Sequence, residues 1–392
     1  MTGSVQLSKN YWYCVLNMRD ENGKPKKKWI STGLPQKGNK KKAQAILNEL
    51  LVQYEGHDVI TNYAEMPFSE YCDHWLKGKK ETIELTTYQG YEYRIAHIRR
   101  YFENRKTILS KVTPRDIKEF YEYLLTDGNM ARYKRNKGLS QKSIKEIALL
   151  LKAILKEATL LGDISVNPAE NITIPKKKQE KVKEEIFIDK DDLQILLTEI
   201  KGHILENVII VALFYGLRRS EVLGLKWSAI DFDKATLHIS HTVVKIKDKI
   251  TKDSTKTQAS YREYPLSSYI KEKLQKVKKV QQANRVLFGE AYEHSDYVFT
   301  WEDGRPISPD YVTKGFKKIV ERSEHLSSEL SFHDLRKSCV SMMVEDGYNV
   351  KEIQKWVGHA DVQTTLNIYA KVKESKKTYI AENLGEKFEG IS

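Results

Sequence analysis

Four short stretches of the chain carry side chains suited to phosphate chemistry. In Leu213-Phe214-Tyr215-Gly216-Leu217-Arg218-Arg219 an apolar run meets a glycine and then two arginines, the pattern of a helix that ends and another that opens. A guanidinium at such a junction projects from a rigid element and can hold a phosphate by two parallel hydrogen bonds beside a helix N-terminus. Between Lys252 and Pro265, Thr255-Lys256-Thr257 and Tyr261-Arg262-Glu263-Tyr264 flank a turn-prone stretch, consistent with a β-hairpin that presents a lysine at its tip. An ammonium there can protonate a leaving oxygen, and Lys252 and Lys256 compete for that role. In His333-Asp334-Leu335-Arg336 the imidazole and guanidinium are three apart and share one helix face. Gly358 permits a sharp helix end that aims His359 inward, and Tyr369 lies ten residues on. Taken singly, each stretch has a plain reading: an arginine at a helix start is usually a surface residue, and His333 could simply partner Asp334.

The elements that must position these groups follow from periodicity. Residues 4 to 33 alternate polar and apolar positions about a turn at Asn22-Gly23, as short antiparallel strands do, and Ala43, Ile46, Leu47, Leu50 and Leu51 recur at helical spacing. This small unit gathers lysines around aromatic residues, so Lys26, Lys27, Lys28 and Trp29 are candidates for contact with a nucleic-acid groove. From Pro67 to about Leu161 four amphipathic helices are expected, with Thr113-Pro114 and Leu139-Ser140 opening two of them. Their arginines, among them Arg94, Arg99, Arg132 and Arg135, suit backbone contacts. Asn167-Pro168 and Ile174-Pro175-Lys176-Lys177-Lys178 mark a linker, and residues 186 to 392 read as two helices, a β segment near 236 to 266, then helices. The expected fold is α+β and mainly α: a sheet-plus-helix N-terminal domain, a four-helix domain, and a mostly helical C-terminal domain with a small sheet.

At 392 residues the chain is long enough for two or three domains, and its net charge of +13 attracts polyanions, nucleic acid first among them. Cys14, Cys72 and Cys339 are odd in number and widely spaced, which points away from a disulfide framework or zinc ribbon and toward a reducing compartment. Neither a signal-peptide layout nor an apolar run of membrane-spanning length is apparent, so a soluble intracellular protein is expected. A metal-dependent nuclease needs clustered carboxylates, and Asp231 with Asp233 is the only close pair of note near the core.

Gly216-Leu217-Arg218, a hairpin lysine, His333-x-x-Arg336, Gly358-His359 and Tyr369 occur in the order and rough spacing of the tyrosine recombinase (phage integrase) family, which the chain resembles over about residues 186 to 375. The helical bundle resembles that family's core-binding domain, and the N-terminal sheet resembles the arm-binding domain of integrases from phages and conjugative transposons. The resemblance implies an arm-type DNA-binding domain at 1–60, a core-binding domain at 66–168, a linker at 169–184, a catalytic domain at 185–375, and a tail at 376–392 that docks on a neighbouring protomer.

It also implies a mechanism. Strand transfer needs a nucleophile, neutralisation of the non-bridging oxygens and an acid for the departing 5′ oxygen. Carried over by position, Tyr369 attacks and becomes a 3′-phosphotyrosine, Arg218 and Arg336 clamp the phosphate, Lys256 (or Lys252) is the general acid, and His333 and His359 assist by proton handling and hydrogen bonding. The bond energy is kept in the phosphotyrosine, so no cofactor or metal is expected. The implied partners are double-stranded DNA at core-type and arm-type sites, three further copies of the chain around a Holliday junction, an excision directionality factor and a host DNA-bending protein. The implied setting is the bacterial cytoplasm, on the nucleoid during integration or excision of a mobile element. A type IB topoisomerase and a non-catalytic DNA-binding protein of the same fold are the alternatives.

Overall fold

The computed structural model describes residues 2–19, 25–53, 63–130, 137–176, 186–246, 249–254 and 261–375, with Ala381 and Phe388 beyond them. The chain divides into two compact units, Met1–Lys181 and Val182–Ser392. The expected α+β, mainly helical architecture is present.

In the first unit, strands β1 (Thr2–Ser8), β2 (Tyr11–Arg19) and β3 (Pro25–Pro35) form an antiparallel sheet in that order, followed by helix α1 (Lys40–Gln53). The period-two alternation sorts the side chains. Cys14, Leu16, Met18 and Ile30 point inward and pack with Leu47 and Leu50 of α1. On the opposite face Tyr13 meets Trp29 edge-on, with ring centroids 6.1 Å apart. The expected Asn22-Gly23 turn lies outside the described residues.

Four helices follow, as the periodicity predicts: α2 (Phe68–Gly78), α3 (Leu85–Glu103), α4 (Pro114–Thr126) and α5 (Gln141–Leu160). Phe68, Ile98, Phe102, Phe120, Leu151 and Ile154 fill their core. Thr113 and Asp116 form a reciprocal capping box with Pro114 in the first turn of α4, and Ser140 caps α5, so both sequence start signals are used. The strand sheet and the bundle meet beyond the end of α5. There Lys28 of β3 donates to Asp163 at 3.0 Å, and the Tyr71 hydroxyl donates to the other oxygen of the same carboxylate at 3.0 Å.

The second unit opens with α6 (Lys190–Glu199), α7 (Glu206–Tyr215) and the short α8 (Arg219–Leu223). Helix α7 is apolar on all sides, which obliges it to run through the core, and Val208 to Leu213 are all buried. Strands β4 (Ile230–Asp231), β5 (Thr236–Ile239) and β8 (Arg262–Pro265) form one sheet, while β6 (His241–Ile246) and β7 (Lys249–Ser254) form a separate hairpin. Helices α9 (Ser268–Phe288), α10 (Pro309–Arg322), α11 (Asp334–Glu345), α12 (Val350–Val357) and α13 (Val362–Ser375) complete the unit.

This arrangement corrects one expectation. Lys252 and Pro265 do not belong to a common hairpin, because β7 pairs with β6 while β8 pairs with β5. The reason is burial: Arg262 and Tyr264 alternate inward along β8 and need the cover that Leu237 and Ile239 of β5 begin, a demand invisible to a local turn signal.

Candidate active site

The site is assembled at helix ends. Helix α7 stops at Gly216 in the left-handed conformation (φ 62°), and the chain turns so that Arg218 becomes the N-cap of α8. One turn on, Glu221 is 1 % exposed, and its buried carboxylate is the hub of a charge cluster. Arg218 Nη1 donates to Glu221 Oε1 at 2.6 Å, and Arg262 Nη2 donates to Oε2 at 2.8 Å. Arg336 Nη1 lies 3.9 Å from Oε2 and donates to the Gly216 carbonyl at 2.6 Å. Three guanidiniums thus surround one carboxylate, leaving two positive charges without an internal counterion in this cluster.

His333 forms the N-cap of α11, one turn before Arg336, and α11 ends at Glu345, two residues before the left-handed Gly347. Helix α12 ends at Gly358, left-handed at φ 68°, which delivers His359 to Arg336. Arg336 Nε donates to His359 Nε2 at 3.1 Å, and His359 Nδ1 lies 2.9 Å from the hydroxyl of the buried Thr365. Since Nε2 accepts from a guanidinium, the proton of the neutral ring belongs on Nδ1, where it is donated to Thr365.

The electrostatics follow from burial and crowded positive charge. Burial pushes the Glu221 carboxyl upward, but Arg262 and then Arg218 outweigh it and hold it below its ordinary value. Burial, reinforced by Arg218, pulls Arg336 down to about 10. Burial and then Arg336, Arg218 and Arg262 pull His359 down to about 4. His333 keeps an exposed edge, yet shielding and then the charges of Arg336 and Lys337 lower it as well. Both imidazoles are therefore neutral near pH 7. The Nη2 of Arg336 is buried without a hydrogen-bond partner among the described residues.

Of the remaining candidates, Tyr369 is on α13, half-buried against the apolar cluster of Cys339, Val344, Ile353 and Val357. Helix α13 packs on α11, which carries Arg336. Arg219 turns away from the cluster and donates to the Thr313 hydroxyl of α10. Lys256 lies outside the described residues, and Lys252 is in β7 opposite Val243. Asp231 accepts from the backbone of Asp233 and Lys234, the work of a turn-capping carboxylate.

The nucleic-acid candidates fare unevenly. Lys26, Lys27 and Trp29 are exposed on β3. Lys28 is a correction: its side chain is 13 % exposed and committed to Asp163, because it occupies an inward position of the strand. Arg94 pairs with Glu146 and Arg99 with Asp73 on the bundle surface. Arg132 and Arg135 lie outside the described residues.

Glu221 and Arg262 were not among the sequence candidates. The spacing Arg218-x-x-Glu221 at a helix start was the available signal for the first. Nothing local marks Arg262.

Residues 186–376 match the phage integrase family, and residues 67–176 match the phage integrase SAM-like domain. The chain is similar to a tyrosine recombinase XerC-like protein of Caldanaerobacter subterraneus subsp. tengcongensis, with 27 % identity over 99 % of both chains. It is 25 % identical to the ICEBs1 integrase of Bacillus subtilis, over 76 % of this chain and 77 % of that one. In fold it resembles the Tn1549 transposon integrase solved with a circular intermediate DNA, at TM-score 0.64 and 20 % identity over 78 % of this chain and 95 % of that one. It also resembles a lambda integrase tetramer solved on a Holliday junction, at TM-score 0.56 and 17 % identity over 93 % of this chain and 94 % of that one.

Proposed function

The chain belongs to the phage integrase family as a tyrosine-type site-specific DNA recombinase, and from that premise we propose how its residues divide the work. The scissile phosphate binds where Arg218 and Arg336 converge. The observation that carries this reading is the buried Nη2 of Arg336, without a hydrogen-bond partner among the described residues, beside a cluster in which three guanidiniums share the one carboxylate of Glu221. A phosphodiester brings one negative charge, and the pentacoordinate transition state brings two, so the cluster favours the transition state over the ground state.

The phenol oxygen of Tyr369 forms a bond to phosphorus as the bond from phosphorus to the 5′ oxygen breaks. The lysine of the segment between β7 and β8, Lys256 or else Lys252, gives its proton to the departing 5′ oxygen. His333, neutral and with an exposed edge, is the group that takes the phenol proton. His359 has both ring nitrogens committed and acts by hydrogen bonding, holding Arg336 in place. The 3′-phosphotyrosine preserves the bond energy, and attack by a second strand's 5′ hydroxyl reverses each step to give a Holliday junction.

For the rest of the chain, residues 1–60 serve arm-type sites, 66–168 and 185–375 each contribute contacts to core-type sites, joined by the linker 169–184, and the tail 376–392 docks on a neighbouring protomer of a tetramer. The outward face bearing Tyr13, Lys27 and Trp29 supports the first assignment. An apolar cavity of about 730 Å³ lined by Leu193, Leu197, Phe214, Met342, Tyr348 and Trp356 supports the last, since Ile380, Leu384 and Phe388 recur every fourth residue in the tail. An excision directionality factor and a host DNA-bending protein complete the assembly.

The test is to incubate wild type and Tyr369→Phe with labelled DNA from the ends of the element that encodes the chain, with nicked suicide substrates included. An SDS-resistant, protease-sensitive 3′ adduct from wild type, with binding but no adduct from Tyr369→Phe, supports the reading. Tight binding by both proteins without any adduct overturns it.

A further inference from the structure

We propose that Arg262 is a positioning residue of the strand-transfer site, governing both the charge on Glu221 and the turn that presents His359. Only the catalytic part of its test rests on the recombinase reading. Arg262 opens β8 and is 8 % exposed. Through Nη2 it donates to Glu221 at 2.8 Å, and through Nη1 to the carbonyl of Val357 at 2.7 Å and, more loosely, that of Gly358 at 3.4 Å. These carbonyls belong to the end of α12, where a helix has no donors of its own left to offer. Gly358 accommodates the guanidinium closely: a Cβ on that residue would lie 1.7 Å from Arg262 Nη1. Arg218 Nη2 reaches the same Gly358 carbonyl at 3.3 Å, so the turn before His359 is held from β8 and from the start of α8 together.

Two consequences follow from removing this side chain. Glu221 loses the counter-charge on Oε2 and draws more heavily on Arg218, reducing the donors that face a phosphate. The carbonyls of Val357 and Gly358 lose a charged donor, and His359 is no longer fixed against Arg336. Neither effect requires Arg262 to touch DNA. A lysine would restore the charge and lose the planar fork that serves a carboxylate and a carbonyl at once.

The experiment compares full-length wild type, R262Q, R262K, E221Q and the double variant E221Q/R262Q. Single-turnover adduct formation is followed on nicked duplex from the ends of the element at saturating protein, alongside DNA affinity by gel shift. In the absence of DNA, deuterium exchange is followed for the peptide covering residues 354–361. R262Q is expected to form adduct about 100-fold more slowly at unchanged affinity, since a misplacement of about 1 Å costs that much. R262K falls between the two. The double variant is slower than E221Q by less than R262Q is slower than wild type, because the part of the effect exerted through the Glu221 carboxylate is already absent in E221Q. Residues 357–360 exchange about tenfold faster in R262Q. Adduct rates within twofold of wild type, independent effects that multiply in the double variant, or unchanged exchange at the turn each overturn the proposal. If R262Q fails to fold, R262K must still show slower adduct formation and faster exchange, and parity with wild type overturns the proposal. Absence of adduct from wild type would instead defeat the recombinase reading, and exchange at the turn would still decide the place of Arg262.

Discussion

Arg336 commits its Nε to His359, 3.1 Å away, while its buried Nη2 has no hydrogen-bond partner among the described residues. One guanidinium thus fixes an imidazole on one edge and offers the proposed phosphate site a donor on the other. The cost of that arrangement is a histidine that resists protonation. The ring of His359 titrates at about 4 in the folded chain against 6.5 for the ordinary side chain. The unfolded chain therefore takes up a proton that the folded chain refuses, and this contribution to stability is complete above about pH 6.5, falls as pH drops toward 4, and is flat below.

Urea unfolding at pH 7.5 and pH 5 measures this directly. Wild type is expected to lose about 2 kcal/mol more than His359→Gln over that interval, at 1.36 kcal/mol per unit. His97, His203 and His333 are shifted in the same direction but are present in both proteins and cancel in the difference. Equal losses would show that His359 titrates normally.

Gly358→Ala should cost far more than Gly347→Ala, although both positions are left-handed (φ 68° and 90°). An added Cβ at Gly347 meets nothing within 4 Å, so only backbone strain of about 1 kcal/mol applies. At Gly358 it would strike Arg262, adding roughly 1–3 kcal/mol of overpacking and displacing the turn before His359. Thermal unfolding of the two variants should rank them in that order, and similar melting temperatures would contradict the packing described here.

The general acid can be identified by changing the leaving group. Replacing the bridging 5′ oxygen with sulfur removes most of the need for a proton donor, because a thiolate leaves unaided. Lys256→Ala should form adduct at least 100-fold more slowly on ordinary DNA and regain a rate within a few fold of wild type on the sulfur substrate. Rescue of Lys252→Ala, with no defect in Lys256→Ala, would transfer the role to Lys252.

Two adjacent lysines should behave in opposite ways. Lys27 is exposed on the face that carries Trp29, so Lys27→Ala should lower the salt dependence of arm-site binding by about one counterion. Lys28→Ala should leave that slope unchanged and destabilise the first unit by about 3 kcal/mol, since it strands the buried Asp163. A salt slope that drops in Lys28→Ala would restore that residue to the DNA face.

The helices were legible because their apolar periodicity and end signals are local: Thr113 and Ser140 open helices, and Gly216 and Gly358 close them, where the sequence suggested. Arg218, Arg336 and His359 were legible as a set because family order substitutes for geometry. Glu221 and Arg262 were not, since their importance arises only when β8 meets the start of α8, forty-one residues earlier in the chain. The same limit explains Lys28, whose partner is 135 residues away, and the hairpin, where a local turn signal competed with a buried strand register.

That long-range partner has a consequence for how such proteins can be recombined as genes. Asp163 holds Lys28 from the sheet and Tyr71 from the bundle on its two oxygens. The N-terminal sheet is therefore not an interchangeable module: a chimera that grafts another protein's first 60 residues here inherits a buried anion, and viable grafts must supply a cation at the position of Lys28 or neutralise Asp163 in the same step.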